Sequence, residues 1–182
     1  MVVDATAELL EAGHLRPTAA RVAERAGVSV RSVFGHFSDL NDLFAAVADA
    51  RAGSIAELFP NDRYDGDLAC RLDAFLSYRC ALYESMAAVR RAATLHEPFS
   101  PVIAEQLQLA RTLHGMDIER AFGPEVSQAR ARGEGNICDA LCGISSFAFW
   151  DELRRNRGLG VEEARAVCHR TIFALLSDAR TH

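Results

Sequence analysis

The run from Thr18 to Phe37, TAARVAERAGVSVRSVFGHF, leaves this chain few choices of local structure. Thr18 is placed to cap a helix, because its hydroxyl oxygen can accept a hydrogen bond from a free N–H of the first turn. Val22, Ala23 and Ala26 follow at helical spacing and give that helix one small apolar face. Gly27 sits just past the last periodic residue, where a left-handed backbone is cheap only without a Cβ. Val28 then fills the corner, and Ser29 caps a second helix in which Val33, Phe34 and Phe37 are expected to face inward. Two short helices hinged on Ala26-Gly27-Val28-Ser29 make a helix-turn-helix pattern. The second helix of such a unit is narrow enough for the major groove of B-DNA, with its early residues at base edges.

The remainder of the chain reads as helix. There is no alternating Val/Ile/Thr run and no Asn-Gly hairpin, while good helix formers dominate, so the fold class expected is all-α. At 182 residues and 49% hydrophobic, the chain can bury a substantial core. A first helix spans Val2 to about Ala12, with Val2, Val3, Thr6, Leu9 and Leu10 as its inner stripe and Gly13 at its end. Ser38 or Asp39 caps a fourth helix carrying Leu43, Val47, Ile55, Leu58 and Phe59, which ends before Pro60. Pro60 to Gly66 is a polar loop and the best internal boundary signal. Helical patterns then run from Asp67 to about Ser85, from Met86 to about His96, and from Ser100-Pro101 to about Phe122, where Gly123-Pro124 is expected to stop the chain. Ser127 to Asn136 reads as a loop, followed by a helix from Ile137 to about Arg155 and a last one from Val161 to about Ala179. That makes about nine helices in all.

The last two helices differ from the others. The one from Ile137 is apolar nearly all round, with Ile137, Leu141, Ile144 and Ala148 on one face and Ala140, Gly143, Phe147 and Trp150 on another. Such a helix must be covered on more than one side. The final helix has Glu162 and Glu163 in its first turn and Arg180 at its end, both suited to the macrodipole, and a stripe of Val161, Ala164, Cys168, Ile172 and Leu175. This hairpin carries more apolar surface than one small domain hides, which predicts a homodimer through a four-helix interface about a two-fold axis.

The order T-x-x-x-[VI]-A-x-x-A-G-V-S-x-x-[ST]-[VL]-[FY]-x-H-F is met by Thr18, Val22, Ala23, Ala26, Gly27, Val28, Ser29, Ser32, Val33, Phe34, His36 and Phe37. In it the chain resembles the DNA-binding region of TetR-family transcriptional regulators, over roughly the first fifty residues; beyond them the likeness is one of length and helix pattern. The resemblance implies a helix-turn-helix DNA-binding domain of three helices over residues 1–45. It implies a helical ligand-binding and dimerisation domain over 46–182, and the same homodimer. By resemblance, Val30, Arg31, Ser32, Phe34 and His36 reach DNA beside the Ser29 cap, and Thr18 offers its backbone N–H and hydroxyl to a phosphate. Arg31 is the best candidate for a bidentate contact to guanine or a phosphate clamp. Three residues depart from the family. Phe34 stands where tyrosine is usual, Leu40 where a lysine usually begins the fourth helix, and Gly35 removes a side chain from the DNA face. The chain also starts on its first helix, without the basic leading arm of many relatives, so that arm is absent or the true start lies upstream.

In the C-terminal part Phe75, Tyr78, Tyr83, Met86, Phe147 and Trp150 are candidate lining for an apolar ligand pocket, with Arg79, His96 or His114 as polar anchors. Each of these residues would serve equally as ordinary core. No pattern identifies the ligand.

Charge does not favour nucleic acid. The net charge is −5, and the first fifty residues set four arginines (Arg16, Arg21, Arg25, Arg31) against seven acids, a net of −3. Because phosphate neutralisation supplies most non-specific affinity, DNA binding should be weak unless the arginines gather on one face. The five cysteines are odd in number and form no C-x-x-C. Cys138 and Cys142 lie four apart, but a third metal ligand is not apparent. No signal peptide or membrane-length apolar run occurs, so a cytoplasmic protein is expected, without membrane association. No H-E-x-x-H, G-x-S-x-G or phosphate-cradling glycine loop is present, so neither catalysis nor a cofactor is expected. The resemblance, with the helix-turn-helix pattern and the apolar C-terminal hairpin, implies a homodimeric, ligand-responsive regulator, a repressor first of all, released from double-stranded operator DNA by a small-molecule effector. The alternative is a dimeric small-molecule or protein-binding regulator with a weakened DNA module.

Overall fold

The computed structural model describes residues 1–59 and 63–178. The loop start at Pro60, Asn61 and Asp62 and the helix end at Ala179 and Arg180 therefore lie outside the described residues. The described residues are helical, with no strand among them. Their contacts gather into two compact units, Met1–Glu57 with Ser85–Ala110, and Leu58–Glu84 with Arg111–His182.

The first unit is built on α1 (Val2–Glu11), α2 (Ala19–Ala26), α3 (Val30–Phe34) and α4 (Leu40–Ala56). Asp39 caps α4, its carboxylate accepting from the N–H groups of Asn41 and Asp42 at 2.7 and 3.0 Å. Two small cores hold these helices. Leu9, Val22, Ala23, Val33 and Leu43 pack α1, α2, α3 and α4 together, with Val28, Phe37 and Leu40 half-buried against them. A second cluster joins Ala7, Leu10, Phe44 and Val47 to Val89, Ala92, Ile103 and Leu107. The inner stripe expected for α1 is only partly right: Val2 and Val3 are half-buried, while Ala5 and Ala7 take buried places beside Thr6, Leu9 and Leu10. Helix α4 stops at Ala56, and Leu58 is exposed rather than part of its inner face.

Helix α5 runs unbroken from Leu68 to His96, so the expected interruption at Ser85-Met86 does not occur. Nothing there forces one, since no proline or glycine intervenes. Its first part belongs to the second unit and its end to the first. Ser100 caps α6 (Pro101–Ala131), its Oγ accepting from the Ile103 N–H at 3.4 Å. Gly123-Pro124 bends α6 instead of ending it: Phe122 leaves helical geometry (φ −128°, ψ 20°) and the helix resumes through Ala131. Residues 127–131, expected as loop, are helical for that reason. A proline in the first turn of the resumed segment needs no N–H partner. The side chain of Arg71 donates to the Ala121 carbonyl at the bend and pairs in fork fashion with Glu125, at 3.0 and 2.7 Å.

In the second unit the expected single helix from Ile137 to Arg155 is in fact α7 (Ile137–Ile144), α8 (Phe147–Asp151) and a wide helical turn over Glu152–Asn156. The break falls at Ser145-Ser146, where Ser146 turns extended and caps α8 by accepting from the Phe149 N–H at 3.2 Å. Ser145 is tied down from two other helices: the Tyr83 hydroxyl donates to its carbonyl at 2.7 Å, and His114 Nε2 lies 2.8 Å from its Oγ. Helix α9 (Val161–Asp178) packs on α7 and the wide turn. It buries Ala164, Cys168, Ile172 and Leu176; the stripe expected at Leu175 lies one residue further along.

Candidate nucleic-acid interface

The geometry of residues 18–37 follows from three local devices. Thr18 caps α2, its Oγ1 accepting from the Arg21 N–H at 3.3 Å, which leaves the hydroxyl hydrogen free to donate outward. Gly27 adopts the left-handed conformation (φ 67°). The Val28 and Gly27 N–H groups then donate to the Ala23 and Glu24 carbonyls at 3.0 and 3.3 Å, a Schellman closure that ends α2 and turns the chain. Ser29 caps α3 by accepting from the Ser32 N–H at 3.1 Å.

Helix α3 has five residues, too few to be stable alone, so it is held by packing. Val33 supplies that hold at 1% exposure, flanked by the half-buried Val28 and Phe37. Ser29, Val30, Arg31, Ser32, Phe34 and His36 are all exposed, as is Thr18. Phe34, expected to face inward, is 45% exposed: one residue past Val33 is a rotation of about 100°, which carries its ring off the core. It therefore lies on the exposed surface with the other candidate contacts. Gly35 leaves that surface bare, and Leu40, in place of a cation, is spent on packing against both cores.

Charge on the first unit is arranged more favourably than its sum suggests. Arg25 pairs with Glu8, its Nε donating at 2.6 Å, and Arg51 pairs with Glu11. Arg16, Arg21 and Arg31 are exposed and have no ion-pair partner among the described residues. The cations left over are thus those on and around the helix-turn-helix.

The candidate ligand residues separate. Met86 and His96 belong to the first unit, where the His96 ring packs 5.4 Å from that of Phe44. In the second unit Phe75 is fully buried, with the rings of His114 and Phe122 at 6.4 and 5.1 Å and the Arg79 guanidinium at 5.3 Å. Tyr78 lies 5.6 Å from the same guanidinium. Tyr83 sits between Phe147 and Trp150, at 5.6 and 6.5 Å, and the Trp150 Nε1–H donates to Glu84 at 2.8 Å. Sequence reasoning missed Asp117, which accepts from Arg63 at 2.7 Å and Arg79 at 3.1 Å; the only available signal was one acid set beside the buried positions of α6. It also missed Glu84 and Ser145. Burial raises the thiols of Cys138, to about 11, and Cys142, so neither is poised to ionise near neutral pH.

Comparison with known proteins agrees with this geometry. Residues 2–47 match the family of bacterial regulatory proteins described as the tetR family. No curated protein matches the sequence. Among solved structures, a transcriptional regulator from Rhodococcus sp. Rha1 superposes with a TM-score of 0.76 at 19% identity, over 97% of this chain and 95% of that one, which shows a shared fold. A candidate transcriptional regulator from Streptomyces coelicolor A3(2) aligns at 20% identity over 98% of this chain and 94% of that one, with a TM-score of 0.46.

Proposed function

We propose that this chain, whose residues 2–47 match the tetR family of bacterial regulatory proteins, is a transcriptional regulator of that family and acts as a homodimeric repressor released from a near-palindromic operator by a small molecule. One observation carries the DNA-binding part: a capped five-residue helix is anchored inward by Val33 alone of its residues, while Arg31, Ser32, Phe34 and His36 are exposed, as is Thr18 at the start of α2. Two such helices about 34–36 Å apart would enter successive major grooves. Arg31 would read a guanine edge or clamp a phosphate, and Thr18 would donate to a phosphate.

Pairing of two copies through the last two helical segments is supported by their composition. Ala140, Gly143 and Ala148 are exposed small residues on α7 and α8, and Phe173 is exposed on α9, stacked 6.0 Å from His169. Small residues let facing helices approach closely. An effector that favours one spacing of the two recognition helices would release DNA in proportion to its affinity ratio for the two states.

The test is a gel shift at low salt with DNA from upstream of the protein's own gene, with and without a low-molecular-mass cell extract. A sequence-specific complex that the extract dissolves is expected; absence of any specific complex would reject the reading. A second reading, a dimeric binding protein whose DNA module has weakened, is favoured by the acidic first fifty residues and by Leu40 in place of a cation. It predicts that the purified dimer binds operator and unrelated DNA alike.

A further inference from the structure

Arg79 is buried to 7% exposure, yet its hydrogen bonding is incomplete. Its Nη2 donates to one oxygen of Asp117 at 3.1 Å, while Arg63 holds the other oxygen at 2.7 Å. Its Nε–H has no hydrogen-bond partner among the described residues. A guanidinium carries five donors in a planar fork, and a buried N–H without an acceptor is costly. The same side chain lines a small cavity with Cys80, Tyr83, Ser145, Ser146 and Trp150, with room for a single water at about 10 Å³. Two of these residues are the aromatic pair Tyr83 and Trp150, and the two serines form the break between α7 and α8. Between the break and α9 lie the five residues of α8 and a wide helical turn, a local irregularity of the kind found at functional sites.

We propose that this cavity is the contracted form of an effector site selective for aromatic carboxylates, in which Arg79 takes the carboxylate and Tyr83 and Trp150 take the ring. The inference rests on the ligand-released reading above and adds the chemical class. A carboxylate supplies in-plane acceptors for a guanidinium whose Nε–H lacks one, and an aromatic body suits an apolar lining that includes the rings of Tyr83 and Trp150. A neutral amide offers one weaker acceptor, and an amine would meet Arg79 with like charge.

Trp150 is the only tryptophan in the chain, so its emission reports on this cavity alone. The full chain is titrated with phenylacetate, phenylacetamide and phenethylamine while that emission is followed. Phenylacetate is expected to give a saturable change at a concentration about tenfold or more below phenylacetamide, and phenethylamine none. The preference should vanish in Arg79→Leu. Arg79→Lys, which keeps the charge without the planar fork, should bind phenylacetate about tenfold more weakly and serves if the leucine variant does not fold. Equal affinity for acid and amide, preference for the amine, no response to any of the three, or an unaltered preference in the Arg79 variants would each overturn the inference. The repressor reading is judged separately by release of the operator complex with cell extract, so the two can fail independently.

Discussion

Val33 is the residue on which α3, the proposed recognition helix, depends. It is 1% exposed and is the only buried residue of α3, packed with Leu9, Val22, Ala23 and Leu43. Val33→Ala removes the equivalent of two methylenes from that cluster. At ~0.8 kcal/mol each, with a further contribution from the cavity left behind, the loss is about 2–3 kcal/mol. For a chain of this length that lowers the melting midpoint by roughly 4–12 °C. A five-residue helix has no stability of its own, so the same loss acts on docking of α3, with a ceiling of about thirtyfold in affinity per half-site for ~2 kcal/mol. Thermal melting by circular dichroism and operator binding by fluorescence anisotropy read the two effects. Val30→Ala, at a neighbour 41% exposed, is the control and should melt within about 1 °C of the parent. The reasoning is refuted if Val33→Ala melts with the control, or if it melts early but binds operator undiminished.

Three further outcomes follow from the same structure. With Arg16, Arg21 and Arg31 of each copy contributing to a dimer on DNA, the slope of log affinity against log salt should lie near −5, and a slope steeper than about −7 would show that cations beyond these three reach phosphate. Phe34→Tyr restores an exposed hydroxyl and should tighten operator binding about fivefold, for roughly 1 kcal/mol per hydrogen bond; weaker binding would mean that ring does not face DNA. The Cys138 thiol, pushed up to about 11 by burial, is neutral below that pH and a thiolate above it. Its alkylation by iodoacetamide, followed by mass spectrometry, should therefore climb about tenfold per pH unit from pH 8 to 11, and a plateau near pH 8.5 would show an ordinary thiol.

What the sequence revealed and what it hid divide by the range of the forces involved. Thr18, Gly27 and Ser29 were legible because a cap and a left-handed turn are decided within four residues. The break at Ser145-Ser146 was not, because its partners Tyr83 and His114 lie 62 and 31 residues away. Gly123-Pro124 reads as a stop because the pair disfavours continuation, but a proline suits the first turn of a resumed helix, and Arg71 from a different helix donates to the carbonyl at the bend. At Ser85-Met86 the apolar pattern suggests a boundary that no residue there enforces. Phe34 illustrates the limit of apolar periodicity on a helix this short, since one strongly anchored neighbour decides which way every other side chain points. In the candidate ligand region the aromatic residues were visible as a set, whereas Asp117, which fixes how Arg79 is held, was a single acid in a long helix and gave no pattern.

The proposed reading of DNA requires Arg31 to face the duplex from the exposed, capped first turn of α3. The deciding measurement is the equilibrium affinity of Arg31→Ala for the operator and for unrelated DNA, with its oligomeric state checked by sedimentation. An intact dimer that loses roughly tenfold or more on operator and much less on unrelated DNA is the predicted result, as expected for a side chain worth ~1–3 kcal/mol of base discrimination. An intact dimer that binds operator as tightly as the parent would contradict it.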